Sequence, residues 1–455
     1  MHKSRKIAIV GFGKEGLSAA NFLAQDNLIT VFDDRQKREI DPTLFKSVRA
    51  KHVNFCLGTN LPKDLKFDLV VRSPGVRPDH LLIKKLIKNG ATLTSQIKIF
   101  FDRCPTKIIG VTGTKGKGTT ATLIYEMLKC KYTSVFLAGN IGTPALDVLP
   151  KLTRKSLVVL ELSSFQLLDL TKSPQIAVIL MISSEHLDWH KDTKEYQKAK
   201  ESVVRFQTKD DFAVINQDFE VARSFATKTR AKVFFVSTTD ITNGVYVAGD
   251  IVISQVDKKR GEKEEIINTQ DIFIPGIHNL QNVVAAVAVA KILKVDTHDI
   301  RKVLETFPGL PHRLQLVREI AGVKFYNDSF STTPETTIAA IDTFPDPKIL
   351  ILGGSSKNSD FASLGRKITT DKSVKGLVLI GQERGRIKAA IDAAGTFGGK
   401  IKKAQNMREI VMIATKLAKS GDVIFLSPAC ASFDMFKNYQ DRGEQFTKEV
   451  GRQEP

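Results

Sequence analysis

A lysine set among glycines, directly after an apolar run, can hold phosphate. Residues 111–120, VTGTKGKGTT, have that arrangement. Backbone N–H groups at a helix start point at an anion, and a lysine reaches its outer oxygens. The flanks decide between this chemistry and a merely basic turn. Upstream, TKIIGVTG is a short apolar run that reads as a buried strand. Downstream, TATLIYEMLKC carries Leu123, Ile124, Met127 and Leu128 at helical spacing. Gly113, Gly116 and Gly118 then let the backbone approach closely, and Lys117 carries the charge. The hydroxyl usual after such a lysine is replaced by Gly118, so Thr119 or Thr120 has to supply a ligand to Mg²⁺.

Three further residues could act beside this loop. Glu161 follows the apolar run Leu157 to Leu160, where an acid is costly unless it is solvated or holds a cation. His186 lies just past the apolar stretch QIAVILMISS, in a polar cluster with Glu185 and Asp188. Ligands collect at the carboxyl ends of strands in parallel sheets, which puts Glu161 and His186 there by pattern. In TKEYQKAKESVVRF, the residues Tyr196, Ala199, Val203 and Phe206 form a helical stripe expected to face inward. Lys200 sits at its edge. It either snorkels along its stem or is buried with a lowered pKa.

The elements that must position these residues fall into three α/β segments. Residues 1–105 open with KIAIVGFGKEGLSAANFLA, in which Gly11, Gly13 and Gly16 match G-x-G-x-x-G, and NLITVFDD ends in Asp33 and Asp34 about 20 residues on. A nicotinamide cofactor or another diphosphate-bearing ligand fits that pattern, because the helix N-terminus recognises pyrophosphate. Residues 106–311 hold the phosphate loop, a predicted hairpin addition over 249–276 and the buried helix HNLQNVVAAVAVAKIL. Residues 312–455 contain the strand-like runs KILILGG, GLVLIG and DVIFLSPA. The predicted fold is α/β with three domains: N-terminal Rossmann-like, central P-loop ATPase-type parallel sheet, and C-terminal Rossmann-like.

Composition narrows the function classes. The 455 residues are 42% hydrophobic, enough for substantial cores, and no run nears the ~20 apolar residues of a membrane span. The basic, then apolar N-terminus runs into a glycine turn and reads as a first strand, not a signal peptide. The four cysteines are widely spaced without CxxC pairs, which suits a reduced cytoplasm and neither disulfides nor a zinc site. The formal net charge is +19, but the lysines are scattered, with no basic tail or interleaved aromatic stripe, so no nucleic-acid partner is expected.

The stretches GTKGKGTT, GNIGTP, ELSSFQL, EHLDWH, YQKAK, HNLQN, GLPHR, YNDS and SPACASFDMFKNY together resemble the Mur ligase family, and among its members the branch that adds D-glutamate. They span nearly the whole chain; ELSSFQL and SPACASFDMFKN are the stretches specific to that branch. The resemblance implies a cytoplasmic ligase, expected as a monomer, that uses ATP and Mg²⁺. ATP phosphorylates the carboxylate of UDP-N-acetylmuramoyl-L-alanine, and the amine of D-glutamate displaces the phosphate. The loop Gly113, Thr114, Lys115, Gly116, Lys117, Gly118 and Thr119 would hold the ATP phosphates. Thr119, Glu161, His186 and Lys200 would surround the metals, Lys200 as a carbamate. Asn279 and Asn282 would lie on the adenine side, with Arg313 and Asp328 also meeting ATP. Lys14, Glu15, Asp33, Asp34, Arg35, Ser73, Pro74 and Gly75 would take the uridine diphosphate, and Asn140 and Ser163 the muramoyl-alanine arm. Thr332, Lys357, Ser432 and Tyr439 would take D-glutamate. Phe330 stands where many members have lysine, and Tyr439 where phenylalanine is common. A folylpolyglutamate synthase-like ligase would share the phosphate loop but not the N-terminal segment. A nicotinamide-dependent oxidoreductase would leave the loop and Lys200 unexplained.

Overall fold

The apolar strand runs bury on both faces, as parallel strands covered by helices do. The computed structural model describes residues 4–49, 53–58, 64–183, 189–256, 262–356 and 358–453. They form three sheets. The first comprises β1 (Lys6–Val10), β2 (Leu28–Asp33), β3 (Val53–Leu57), β4 (Leu69–Arg72) and β5 (Thr92–Ser95), all parallel, in the order β3-β2-β1-β4-β5. The order in which strands are added reverses between β1 and β4, the switch point where ligands settle in such sheets. Val10 is level with Phe32 and Arg72, and Arg72 with Ser95, so the following loops gather at one edge.

The second sheet has nine strands: β6 (Lys107–Thr112), β7 (Val135–Gly139), β8 (Leu157–Glu161), β9 (Ile176–Ile179), β10 (Phe212–Asn216), β11 (Lys232–Ser237), β12 (Val245–Ala248), β13 (Ile251–Ser254) and β14 (Glu264–Asn268). Their order is β14-β13-β12-β11-β10-β9-β6-β8-β7, with the expected hairpin, β13 and β14, added antiparallel at one edge. Val111 is level with both Glu161 and Val178, so the phosphate loop leaves the sheet between two strand ends.

The chain divides into two compact units. One comprises residues 1–272 and 278–305, the other 273–277 and 306–455. The first two sheets share the first unit and one continuous core. Ile97, Phe100 and Phe101 of the helix Gln96–Arg103 pack in it with Leu146 and Leu149. The second unit carries the third sheet: β15 (Gln315–Ile320), β16 (Val323–Asn327), β17 (Lys348–Gly353), β18 (Val374–Ile380), β19 (Lys400–Lys403) and β20 (Val423–Leu426), in the order β15-β16-β20-β17-β18-β19. Only β15 runs antiparallel to its neighbour. Among the described residues no helix is long and apolar enough to cross a membrane.

One expectation needs correction. Phe206 is not part of the buried stripe. The helix Thr193–Arg205 ends before it, and Phe206, at the C-cap, is 41% exposed, while Tyr196, Ala199 and Val203 are buried.

Candidate active site

The phosphate loop is built around Gly116, the N-cap of the helix Lys117–Lys129. Its φ of +85° favours glycine, and a Cβ there would lie 2.1 Å from Asn282 Oδ1. Thr114 anchors the loop. Its N–H donates to the Met181 carbonyl (2.6 Å), its hydroxyl pairs with the Tyr196 hydroxyl (2.9 Å), and it accepts from the Ser183 N–H. Lys117 Nζ folds back onto the Thr114 carbonyl at 2.9 Å, while Lys115 is exposed. Thr120 donates to Asn282 Oδ1 (3.2 Å), and Asn282 donates to Asn279 (3.3 Å). Of the two candidate hydroxyls, Thr120 is therefore occupied by the helix Ile277–Ile292, and Thr119 is the buried neighbour closer to the loop.

Glu161 closes β8 and is buried. Asn140 donates to its Oε1 at 3.1 Å, and the Asn140 N–H donates to the Glu161 carbonyl at 2.9 Å. Among the described residues no ion pair neutralises this carboxylate. A buried carboxylate whose partner is a neutral amide, on the strand beside a threonine-bearing phosphate loop, is a hard-oxygen donor set that fits Mg²⁺. Lys200 is 1% exposed and reaches the same loop from the helix Thr193–Arg205. Its Nζ donates to the Gly113 carbonyl (2.8 Å) and Thr112 Oγ1 (3.4 Å) and lies 4.8 Å from the centre of the Tyr196 ring. The chain thus brings Gly113 to Thr119, Asn140, Glu161, Lys200, Asn279 and Asn282 together in its first unit. His186, with residues 184–188, and Lys357 lie outside the described residues.

At the switch point of the first sheet, Gly11 (φ +96°) turns the chain, and a Cβ on Gly16 would sit 2.2 Å from the Gly11 carbonyl. Ser73 Oγ donates to that carbonyl at 2.6 Å. Burial pushes the Asp33 carboxyl up, but bonds from the Arg35 guanidinium and from the Phe12 and Arg35 N–H groups outweigh it and hold the carboxyl below its ordinary range. Asp34 is exposed beside His80 (3.0 Å); Lys14 and Gly75 are also exposed. Ser163 caps the helix Ser164–Leu167.

Glu15 turns inward. Gln166, which also accepts from Ser163, donates to Glu15 Oε1 at 2.7 Å. Burial lifts the Glu15 carboxyl to about 7, against the pull of Gln166 and Arg72. A carboxyl raised on folding contributes stability that is full below its unfolded value, near 4.5, and is lost as pH climbs through about 7. Glu15→Gln keeps the acceptor and removes the charge. At pH 8 the variant is expected to be more stable than the parent by about 2–3 kcal/mol, with the gap closing below pH ~4.5. Thermal melts across this range check it; a gap independent of pH would contradict it.

In the second unit, the loops after β16 and β20 meet at Asp328. It accepts from the Leu314 N–H (3.2 Å) and the Ser427 hydroxyl (2.8 Å), and burial lifts it to about 6. The Arg313 guanidinium lies 4.4 Å from the Phe330 ring centre, and Phe330 meets the Tyr439 ring edge-on at 5.2 Å. Ser432 is buried and Thr332 half-buried at the same loop edge.

Sequence reasoning missed two arginines. Arg442 is buried and donates to the Ser329 hydroxyl and carbonyl and to the carbonyls of Cys430 and Ala431, clamping the two loops. Arg72 is treated below. Arg72 pairs with Asp169 and Phe165 and Arg442 with Ser329, all far along the chain, so no local pattern marks either one.

Known proteins share this organisation. Residues 5–95 match the Mur ligase MurD-like N-terminal domain, 111–290 the Mur ligase middle domain, and 312–430 the Mur ligase glutamate ligase domain. The UDP-N-acetylmuramoylalanine--D-glutamate ligase of Acetivibrio thermocellus is 41% identical, over 98% of this chain and 96% of its own. That of Clostridium tetani is 36% identical, over 97% and 96%. Among solved structures, UDP-N-acetylmuramate-alanine ligase MurC from Thermotoga maritima superposes with a TM-score of 0.60 at 15% identity, covering 98% of this chain and 99% of that one. MurF from Acinetobacter baumannii gives 0.62 at 17%, covering 98% and 93%. The structural likeness shows the fold; the full-length identity above one third, with three family domains in order, shows that the chain belongs to the Mur ligase family.

Proposed function

We propose that this protein is an ATP-dependent ligase that joins D-glutamate to UDP-N-acetylmuramoyl-L-alanine in cytoplasmic peptidoglycan precursor synthesis. The observation that carries the reading is the convergence of Lys117, Glu161 and Lys200 on one phosphate loop, in a chain whose full-length relatives bear that ligase's name. The substrate carboxylate attacks the γ-phosphorus of ATP, ADP leaves, and an acyl phosphate forms. The D-glutamate amine then attacks the acyl carbon, phosphate departs, and the amine loses a proton. Bound Mg²⁺ supplies charge neutralisation at the phosphates. Thr119, Glu161 and Lys200, the last as a carbamate, are the residues that would hold it. The chain's own part is to place Lys117 where negative charge develops and to present backbone N–H groups to the anion. The exposed turn at Lys14, the Asp33–Arg35 pair and Ser73–Gly75 take the uridine diphosphate. Asn140 and Ser163 face its acyl arm.

Thr332, Lys357, Ser432 and Tyr439 take D-glutamate. Ser432→Ala and Lys357→Ala are expected to raise the KM for D-glutamate by roughly 10- to 100-fold, the scale of one charge-assisted hydrogen bond. The KM for ATP stays near its parent value. Steady-state kinetics with each substrate varied in turn check this; a shift falling on ATP instead would reassign those loops. The reading as a whole is tested by phosphate release from ATP with the purified protein. Release is expected only when both UDP-N-acetylmuramoyl-L-alanine and D-glutamate are present. Release with a different amino acid but not with D-glutamate would overturn it.

A further inference from the structure

Arg72 closes β4 and is 0% exposed. Its Nη1 donates to the carbonyls of Ser73 (3.3 Å), Pro74 (3.1 Å) and Val76 (2.6 Å). The remaining carbonyl of that loop, Gly75, accepts from the indole Nε1 of Trp189 at 3.0 Å. Every carbonyl from Ser73 to Val76 thus meets a donor from Arg72 or Trp189. The other edge of the guanidinium grips the segment that follows β8. Nε and Nη2 hold the Asp169 carboxylate (2.7 and 2.6 Å), and Nη2 also donates to the Phe165 carbonyl (2.7 Å). Trp189 packs on Phe165, with ring centres 4.6 Å apart, and lies under Arg77, whose Nη1 donates to the Trp189 carbonyl.

These contacts do more than join two sheets. Phe165 lies in the helix Ser164–Leu167, which starts three residues after Glu161. Ser73 also bonds the Gly11 turn, so the same short loop is tied to the glycine turn on one side and to the Glu161 strand on the other. Free carbonyl oxygens would repel a diphosphate; here donors neutralise all of them. The register between a substrate's anchor and its reacting end must be held closely, because small misplacements cost large factors in rate.

We propose that Arg72 and Trp189 are positioning residues: they latch the Ser73–Val76 loop in register with the Glu161 strand end, so that a nucleotide diphosphate seated on that loop presents its far end to the phosphate loop. The latch rests on the ligase reading above for the identity of the nucleotide.

Trp189→Phe keeps an aromatic ring against Phe165 and Arg77 and removes the indole N–H together with the pyrrole part of the ring. The expected result is a KM for UDP-N-acetylmuramoyl-L-alanine raised about three- to tenfold, the scale of one neutral hydrogen bond, with the KM for ATP and the melting temperature unchanged. Arg72→Lys is expected to raise the same KM further, because one ammonium cannot reproduce a planar fork serving five acceptors. Should that variant fail to fold, Trp189→Phe still decides. Trp189 is the chain's one tryptophan, so its emission reports the latch without turnover, and it is expected to shift as UDP alone is titrated into the parent protein. An unchanged nucleotide KM in Trp189→Phe overturns the proposal, as does a loss spread equally over all three substrates with a lowered melting temperature. A parent enzyme that releases no phosphate refutes the ligase reading instead; the UDP titration then judges the latch by itself, a shift supporting it and a constant emission overturning it.

Discussion

Lys117→Ala is expected to lose at least about 100-fold in ligation rate, the cost of removing one preorganised stabiliser of transition-state charge. The Lys117 ammonium rests on the Thr114 carbonyl at 2.9 Å within the loop proposed to receive the phosphates. The cation is therefore already in place when ATP arrives, and exchanging one carbonyl for phosphate oxygens needs little reorganisation. Alanine at the first position of the helix Lys117–Lys129 is compatible with the helix, so the melting temperature is expected to stay near the parent value. A rapid phosphate-release assay, with melting as the folding control, checks both parts. Near-normal turnover would remove the phosphate loop from the mechanism.

Lys200→Ala is expected to be nearly inactive in a protein that still folds, and short carboxylates such as acetate or formate are expected to restore part of the activity. As an ammonium, Lys200 props the Gly113 carbonyl at the mouth of the loop. An ammonium beside a Mg²⁺ held at Glu161 would be repelled, whereas the neutral amine can add CO₂, forming an N–C bond and releasing a proton. The resulting carbamate is an anion able to orient a metal beside Glu161. Rescue by small carboxylates separates the two roles, because acetate replaces a carbamate and cannot replace an ammonium. An unaffected Lys200→Ala enzyme would contradict the assignment, and an inactive variant that no carboxylate rescues would leave Lys200 the role of a cationic prop.

Local patterns carried much of this far. The strand, glycine turn and helix around Lys117 were legible because the apolar period changes at Gly113, and Gly116 then proved to need the backbone freedom only glycine has. The switch-point turn was legible for the same reason: Gly16 abuts the Gly11 carbonyl, leaving no room for a side chain. The hairpin of β13 and β14 showed in its alternation. Other features were hidden by physics that acts across the chain. Phe206 looked like core, yet the helix ends one residue before it. The edge strand β15, QLVREI, is half-exposed and charged, so it lacks the apolar run of its neighbours. Arg72 and Arg442 went unmarked because charged groups seldom bury, and their distant partners, Phe165 and Ser329, become neighbours only once the sheets have formed. Asn140 was assigned to substrate, while its amide also bonds Glu161.

The central claim is that the loop at Lys117 transfers phosphate to a carboxylate on the way to an amide. The most direct test is to supply ATP, D-glutamate and UDP-N-acetylmuramoyl-L-alanine whose alanine carboxylate carries oxygen-18, and to weigh the released phosphate by mass spectrometry. The account predicts one oxygen-18 atom in each phosphate released together with amide product, because the phosphate expelled from the acyl phosphate takes the bridging oxygen, which began on the carboxylate. Amide product accompanied by phosphate free of the label would contradict it.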